Sequence, residues 1–78
     1  FNPASRQHGF RNPQGMHAGD LPNVNVAADG TVRIEAFATA FNLGGGKNGL
    51  FDGDGSALML HALADDYTTD PTGSAGAR

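Results

Sequence analysis

Asn23-Val-Asn-Val-Ala-Ala-Asp-Gly-Thr-Val-Arg-Ile-Glu-Ala-Phe37 is the stretch that carries the fold class. From Asn23 to Ala27, Val24 and Val26 alternate with Asn23 and Asn25, the period-two pattern of a strand with one wet face. Asp29-Gly30 follows, a dipeptide suited to the tight positive-φ turn of a hairpin. From Thr31 to Phe37 the alternation resumes, with Val32, Ile34 and Ala36 on one face and Arg33 and Glu35 on the other. The pattern predicts a β-hairpin within residues 23–42.

After the hairpin, a glycine-rich loop covers residues 43–56, and Ala57-Leu-Met-Leu-His61 is a third strand candidate. Residues 62–78 read as a loop, acidic early and rich in small residues late. Before the hairpin, residues 1–22 form a polar loop marked by Asn2-Pro3, Asn12-Pro13, Gly9, Gly15 and Gly19. A structureless loop of roughly 20 residues is uncommon in a compact domain and is usually functional. The fold class is therefore all-β, part of a barrel or sandwich with long functional loops. Three strands close neither architecture, so their edges are expected to be open.

Composition agrees with loops and short strands. The 78 residues include 12 glycines and 4 prolines against 5 phenylalanines and 1 tyrosine. Chains below roughly 70–80 residues usually need a staple. With no cysteine, that staple has to be metal or further polypeptide. The formal charge of −3 argues against nucleic acid or an anionic membrane surface as partner. No apolar run approaches the ~20 residues of a membrane span. Phe1 opens a polar stretch without an initiator methionine or signal-peptide pattern, and Arg78 follows a run of small residues, so both ends read as cut.

Chemistry concentrates on the histidines. His8 and His17 lie in the first loop with eight residues between them, and Asp20 follows His17 after two more. Two imidazoles and a carboxylate suit zinc, which takes four ligands in a tetrahedron, so one ligand is still to be supplied. By spacing alone the alternative is a set of solvated loop side chains, since this separation is not a specific zinc signature. His61 ends the third strand candidate, and on its own it reads equally as a strand-end histidine or a metal ligand. Asp65 and Asp66 are nearby candidates to accept its second N–H. Asp52-Gly-Asp54-Gly-Ser56 opens like a calcium loop, but its twelfth position is Leu63 rather than glutamate. Gly44-Gly-Gly46-Lys-Asn-Gly49 fits G-x-G-x-x-G in form only, because no helix pattern follows it.

Four segments together resemble the copper/zinc superoxide dismutase family. Phe1-Asn-Pro-Ala-Ser-Arg-Gln-His8-Gly is similar to the start of its zinc loop, and His17-Ala-Gly-Asp20-Leu-Pro-Asn to its His-x-Gly-Asp-Leu segment. Leu60-His61-Ala-Leu-Ala-Asp65-Asp66 resembles the copper histidine with its acidic pair, and Thr72-Gly-Ser-Ala-Gly76-Ala-Arg78 the close of the electrostatic loop. They stand in the family's order and cover nearly the whole chain.

The resemblance implies a flattened Greek-key β-barrel, with zinc loop 1–22, hairpin 23–42, Greek-key loop 43–56, strand 57–61 and electrostatic loop 62–78. It implies zinc on His8, His17 and Asp20, copper on His61, Asp65 linking His8 to a copper histidine, and Arg78 holding superoxide beside copper. The expected activity is disproportionation of superoxide to oxygen and hydrogen peroxide. The family's bridging histidine, its paired copper histidines and its two cysteines are not among these residues, so the isolated 78 residues are expected to have little or no activity. Residues 62–78 resemble bacterial members, and their only charges before Arg78 are Asp65, Asp66 and Asp70. That implies a periplasmic or extracytoplasmic setting, with the cytoplasm as alternative, and a homodimer of the full-length protein. The competing readings are a non-catalytic zinc-stabilised or copper-chaperone-like domain of the same fold, and a generic β-rich binding module.

Overall fold

Only 18 backbone–backbone hydrogen bonds form in the computed structural model, which describes residues 1–78. A globular chain of this length makes roughly 50, about two-thirds of one per residue. The shortfall lies in the three stretches expected as strands, 23–27, 31–37 and 57–61, which form no ladder with one another. The hairpin is closed at its tip only: Ala27 N–H donates to Thr31 O at 2.8 Å and Gly30 N–H to Ala27 O at 2.9 Å. Asp29 stiffens that turn by accepting the Thr31 hydroxyl at 2.7 Å and the Thr31 N–H at 3.0 Å. The Thr31 bonds hold the Asp29 carboxyl below its ordinary range. No rung forms beyond the turn, and no backbone bond involves residues 57–61.

The cause is the lack of neighbours. A strand's N–H and C=O groups are satisfied by another strand, and these three do not satisfy one another. Their apolar side chains are accordingly open, with Phe37 94%, Leu58 90% and Ile34 56% exposed. The Cα radius of gyration is 13.2 Å, against about 11.5 Å for a compact chain of this length. No helix is long and apolar enough to cross a membrane.

Order comes from the loops. The buried residues are His8, Gly9, Gly49, Gly73 and Ala75. All but Gly49 lie in loops 1–22 and 62–78. Loop 62–78 closes on itself through Ala62 N–H to Ala77 O (2.8 Å), Leu63 N–H to Ala75 O (2.8 Å) and Asp66 N–H to Gly73 O (3.0 Å). It is clipped to loop 1–22 by Arg11 N–H to Tyr67 O at 2.8 Å and by the Asn12 amide, which donates to Thr68 O at 3.1 Å. In the glycine-rich loop, Asn42 and Leu50 are joined across Gly44–Gly49, and a Cβ on Gly49 would strike the Gly44 carbonyl.

Candidate metal centre

Asp20 organises the first loop. Its Oδ2 accepts the N–H groups of Gly9 and His17, both at 3.1 Å. That turns Oδ1 toward the two imidazoles, 2.9 Å from His8 Nδ1 and 3.3 Å from His17 Nδ1. The rings of His8 and His17 face each other at 5.5 Å between centroids, tilted by 57°. One donor atom from each of His8, His17 and Asp20 lies within 4.8 Å of the others.

The other nitrogen of His8 points across to the second loop. Nε2 lies 2.6 Å from Asp65 Oδ2. A carboxylate can only accept, so Asp65 holds a hydrogen on Nε2, while Nδ1, which faces the Asp20 carboxylate at 2.9 Å, is the nitrogen aimed into the cluster. Asp70 adds a third carboxylate, accepting the His8 backbone N–H at 2.7 Å and standing 3.9 Å from His17 Nε2.

Burial lowers the basicity of His8, but hydrogen bonding to Asp65 and the charges of Asp20 and Asp65 outweigh it and hold the imidazole above its ordinary 6.5. Side chains only 9–13% exposed at Asp20, His8 and Asp65 form a partly desolvated site in which negative charge exceeds positive. Such charges require a counter-charge.

The donor set fits zinc. Two ligands on bonds of about 2.0–2.1 Å at a tetrahedral angle are roughly 3.3 Å apart. The His17–Asp20 pair stands at 3.3 Å and the His8–Asp20 pair at 2.9 Å, so small rotations admit the ion. The outward N–H of His8 is held by a carboxylate, the common arrangement for a ligating histidine.

His61 is not part of this cluster. Its Nδ1 lies 2.9 Å from the Gly76 carbonyl oxygen, so Nδ1 carries the hydrogen and Nε2 keeps the lone pair. This corrects the expectation that Asp65 or Asp66 would accept the N–H of His61. Asp66 is committed to its own turn. Its carboxylate accepts the Thr69 hydroxyl at 2.5 Å and the N–H groups of Thr68 and Thr69, each at 2.8 Å, which hold it near a pKa of about 2. Ala62 and Ala77 pair next to His61 and Arg78, bringing these two residues' backbones together. The Arg78 guanidinium is exposed and rests against Met59 Sδ at 3.6 Å.

Two contributors were not picked out from the sequence. Asn23 grips the backbone of Asp65 from both sides, its Oδ1 accepting the Asp65 N–H at 2.8 Å and its Nδ2 donating to Asp65 O at 2.9 Å. Tyr67 packs on Phe10 with centroids 5.4 Å apart and lies 5.8 Å from the Arg11 guanidinium. Its φ of 64° is in the left-handed region, which costs a bulky side chain ~1–2 kcal/mol. A lone tyrosine in an acidic loop gives no sequence signal of that role.

A partly buried cluster of two imidazoles and a carboxylate, braced by a carboxylate from a distant loop, is the arrangement of a candidate metal site. The copper/zinc superoxide dismutase (SODC) profile matches residues 1–78, and the chain belongs to that family. It is 52% identical over 79 residues to the superoxide dismutase-like protein YojM of Bacillus subtilis (strain 168), covering all of this chain and 40% of that one. It is 46% identical to superoxide dismutase [Cu-Zn] 1 of Aquifex aeolicus (strain VF5), covering all of this chain and 47% of the relative. Two crystal structures of a SOD-like protein from Bacillus subtilis share the fold. A point mutant superimposes with a TM-score of 0.93 at 51% identity, and another structure with 0.86 at 49%. Each match covers 97% of this chain and 51% of the solved chain. The chain thus spans about half the length of these relatives or less.

Proposed function

We propose that the protein carrying this chain is a superoxide dismutase, converting superoxide to oxygen and hydrogen peroxide, and that its strands belong to a Greek-key β-barrel. The observation that carries this reading is the His8–His17–Asp20 cluster with His8 Nε2 on Asp65, in a chain of this family. His8, His17 and Asp20 would hold zinc through Nδ1, Nδ1 and Oδ1. His61 would hold copper through Nε2, with the remaining ligands outside these 78 residues. When bound, copper supplies one-electron chemistry in two oxidation states and zinc a fixed charge without redox change.

The chain's own residues have separate tasks. Asp65 keeps the His8 ring turned into the zinc cluster. The Gly76 carbonyl holds the hydrogen of His61 on Nδ1, leaving Nε2 for metal. Arg78 attracts superoxide and orients it, since a guanidinium stays charged and a focused field raises association 10- to 10³-fold by a general estimate. The 78 residues alone are expected to show little or no activity, because His61 by itself makes no redox site. A homodimer and a periplasmic or extracytoplasmic location accompany this reading.

The test is metal content and superoxide consumption of the full-length protein against its His61→Ala and His17→Ala variants. Loss of copper and activity in the first, and of zinc in the second, is expected. Full activity in His61→Ala would overturn the reading. A second reading, a non-catalytic zinc-stabilised or copper-chaperone-like domain, is favoured by the SOD-like naming of the Bacillus subtilis relatives. It predicts stoichiometric zinc without turnover.

A further inference from the structure

The zinc reading leaves open what fixes the Asp65 carboxylate itself, and the answer lies in residues that touch no proposed ligand. Asp65 sits in a loop of turns with one face toward solvent. Its carboxylate could rotate, yet Oδ2 is directed at His8 Nε2 at 2.6 Å. The other oxygen, Oδ1, is taken by the backbone N–H of Tyr67 at 2.6 Å. With Oδ1 committed, only Oδ2 remains for His8.

Tyr67 also reaches out of its loop. Its phenol oxygen accepts the backbone N–H of Asn23 at 2.8 Å. Asn23 in turn holds both the N–H and the C=O of Asp65. Tyr67 to Asp65, Asp65 to Asn23 and Asn23 to Tyr67 therefore form a closed ring of hydrogen bonds. It joins residues 44 apart in sequence, and Asn23 is only three residues beyond Asp20. The Tyr67 ring is seated against Phe10 and Arg11, two and three residues beyond His8 in sequence. Its left-handed backbone at φ 64° is a conformation bulky residues rarely adopt. This geometry turns the N–H toward Asp65 while the side chain runs to Asn23.

We propose that Tyr67 is a positioning residue of the metal centre, acting through Asn23 and Asp65 to hold the His8 imidazole in its metal-binding orientation. The proposal rests on the zinc reading above. Tyr67→Phe in the full-length protein keeps the ring and removes only the acceptor for Asn23. Zinc affinity, measured by competition with a chromophoric chelator, is expected to fall about two- to tenfold, the range for one neutral hydrogen bond. The visible spectrum of the cobalt-substituted protein is expected to shift, because the His8 ring orientation changes.

A double-mutant cycle with Asp65→Asn separates positioning from general loop weakening. If Tyr67 acts through Asp65, Tyr67→Phe costs little further affinity once Asp65 is replaced. Asn23→Ala opens the same ring at its bonds to the Asp65 backbone and must behave alike, which keeps the test decisive if one variant folds poorly. Unchanged affinity in both variants, or full additivity with Asp65→Asn, overturns the proposal. Failure of the unaltered full-length protein to take up zinc overturns the metal-centre reading, and this proposal with it.

Discussion

His8 and Asp65 stand 57 residues apart in sequence, yet their Nε2 and Oδ2 atoms are 2.6 Å apart. This contact joins the loop bearing the zinc-type cluster to the loop that begins beside His61. Neither loop contains a helix or strand to stiffen it, so the bond does much to set their relative position.

Replacing Asp65 with asparagine should therefore act on the metal rather than on folding alone. The amide can still pair with Nε2 but no longer offers a charge. Zinc affinity of the full-length protein is expected to drop about 10- to 100-fold, as for other partners of ligating histidines. Chelator competition measures it, and an affinity equal to that of the unaltered protein would remove Asp65 from the centre.

Gly73→Ala should disturb the same bond by a steric route. Gly73 has a φ of +65°, and a Cβ there would run into the Asp65 carboxylate and come within 3.1 Å of Asp66 N. The left-handed backbone alone costs an alanine ~1–2 kcal/mol. Denaturant unfolding should show at least that loss, together with weakened zinc binding. Alanine at exposed Ser74 should leave zinc binding unchanged.

The Asp66 carboxyl gives a pH prediction. Its folded pKa, depressed to about 2 by the Thr69 hydroxyl and the N–H groups of Thr69 and Thr68, lies below its ordinary 3.8. A depressed carboxylate adds stability that is present above the unfolded pKa and is lost as pH falls through the folded one. The contribution of this turn should thus persist down to pH 3.8 and disappear toward pH 2. Thr69→Val should move the Asp66 midpoint, followed by side-chain carbon NMR, up toward 3.8. An unmoved midpoint would show that Thr69 is not the cause.

Arg78 is the exposed cation of the second loop, held only by Met59 Sδ. Arg78→Ile in the full-length protein should lower the rate of superoxide consumption about tenfold or more and flatten its ionic-strength dependence, as loss of electrostatic steering does. A rate and salt response equal to those of the unaltered protein would leave the anion-guiding role without support.

The open apolar faces make a prediction about the 78 residues in isolation. Leu58, Phe37 and Phe51 are 90%, 94% and 70% exposed, and a surface of that kind seeks cover. The isolated chain should bind a hydrophobic dye and aggregate, whereas the full-length protein should bind no dye and form no assembly beyond its dimer. A monomeric, dye-free isolated chain would mean these faces close on themselves in solution.

Residues close in sequence determined a good part of this protein. The His17–Asp20 spacing, the Asp29-Gly30 turn and the alternation of Val32, Ile34 and Ala36 depend on chain geometry over a few residues, so they are legible without a fold. Resemblance extended that reading to the family. It did not extend to whether the alternating stretches find partners, because strand pairing is non-local and these three stretches do not pair with one another. Residue spacing did not decide which carboxylate meets which imidazole; the resemblance implied Asp65 for His8, and tertiary structure supplies the reason. The sequence placed Asp65 and Asp66 equally near His61, but Asp66 is consumed by its own threonine turn while Tyr67 and Asn23 aim Asp65 at His8. The reason is physical: a hydrogen bond is set by distance and direction in space, and loop closure brought residue 65 to residue 8.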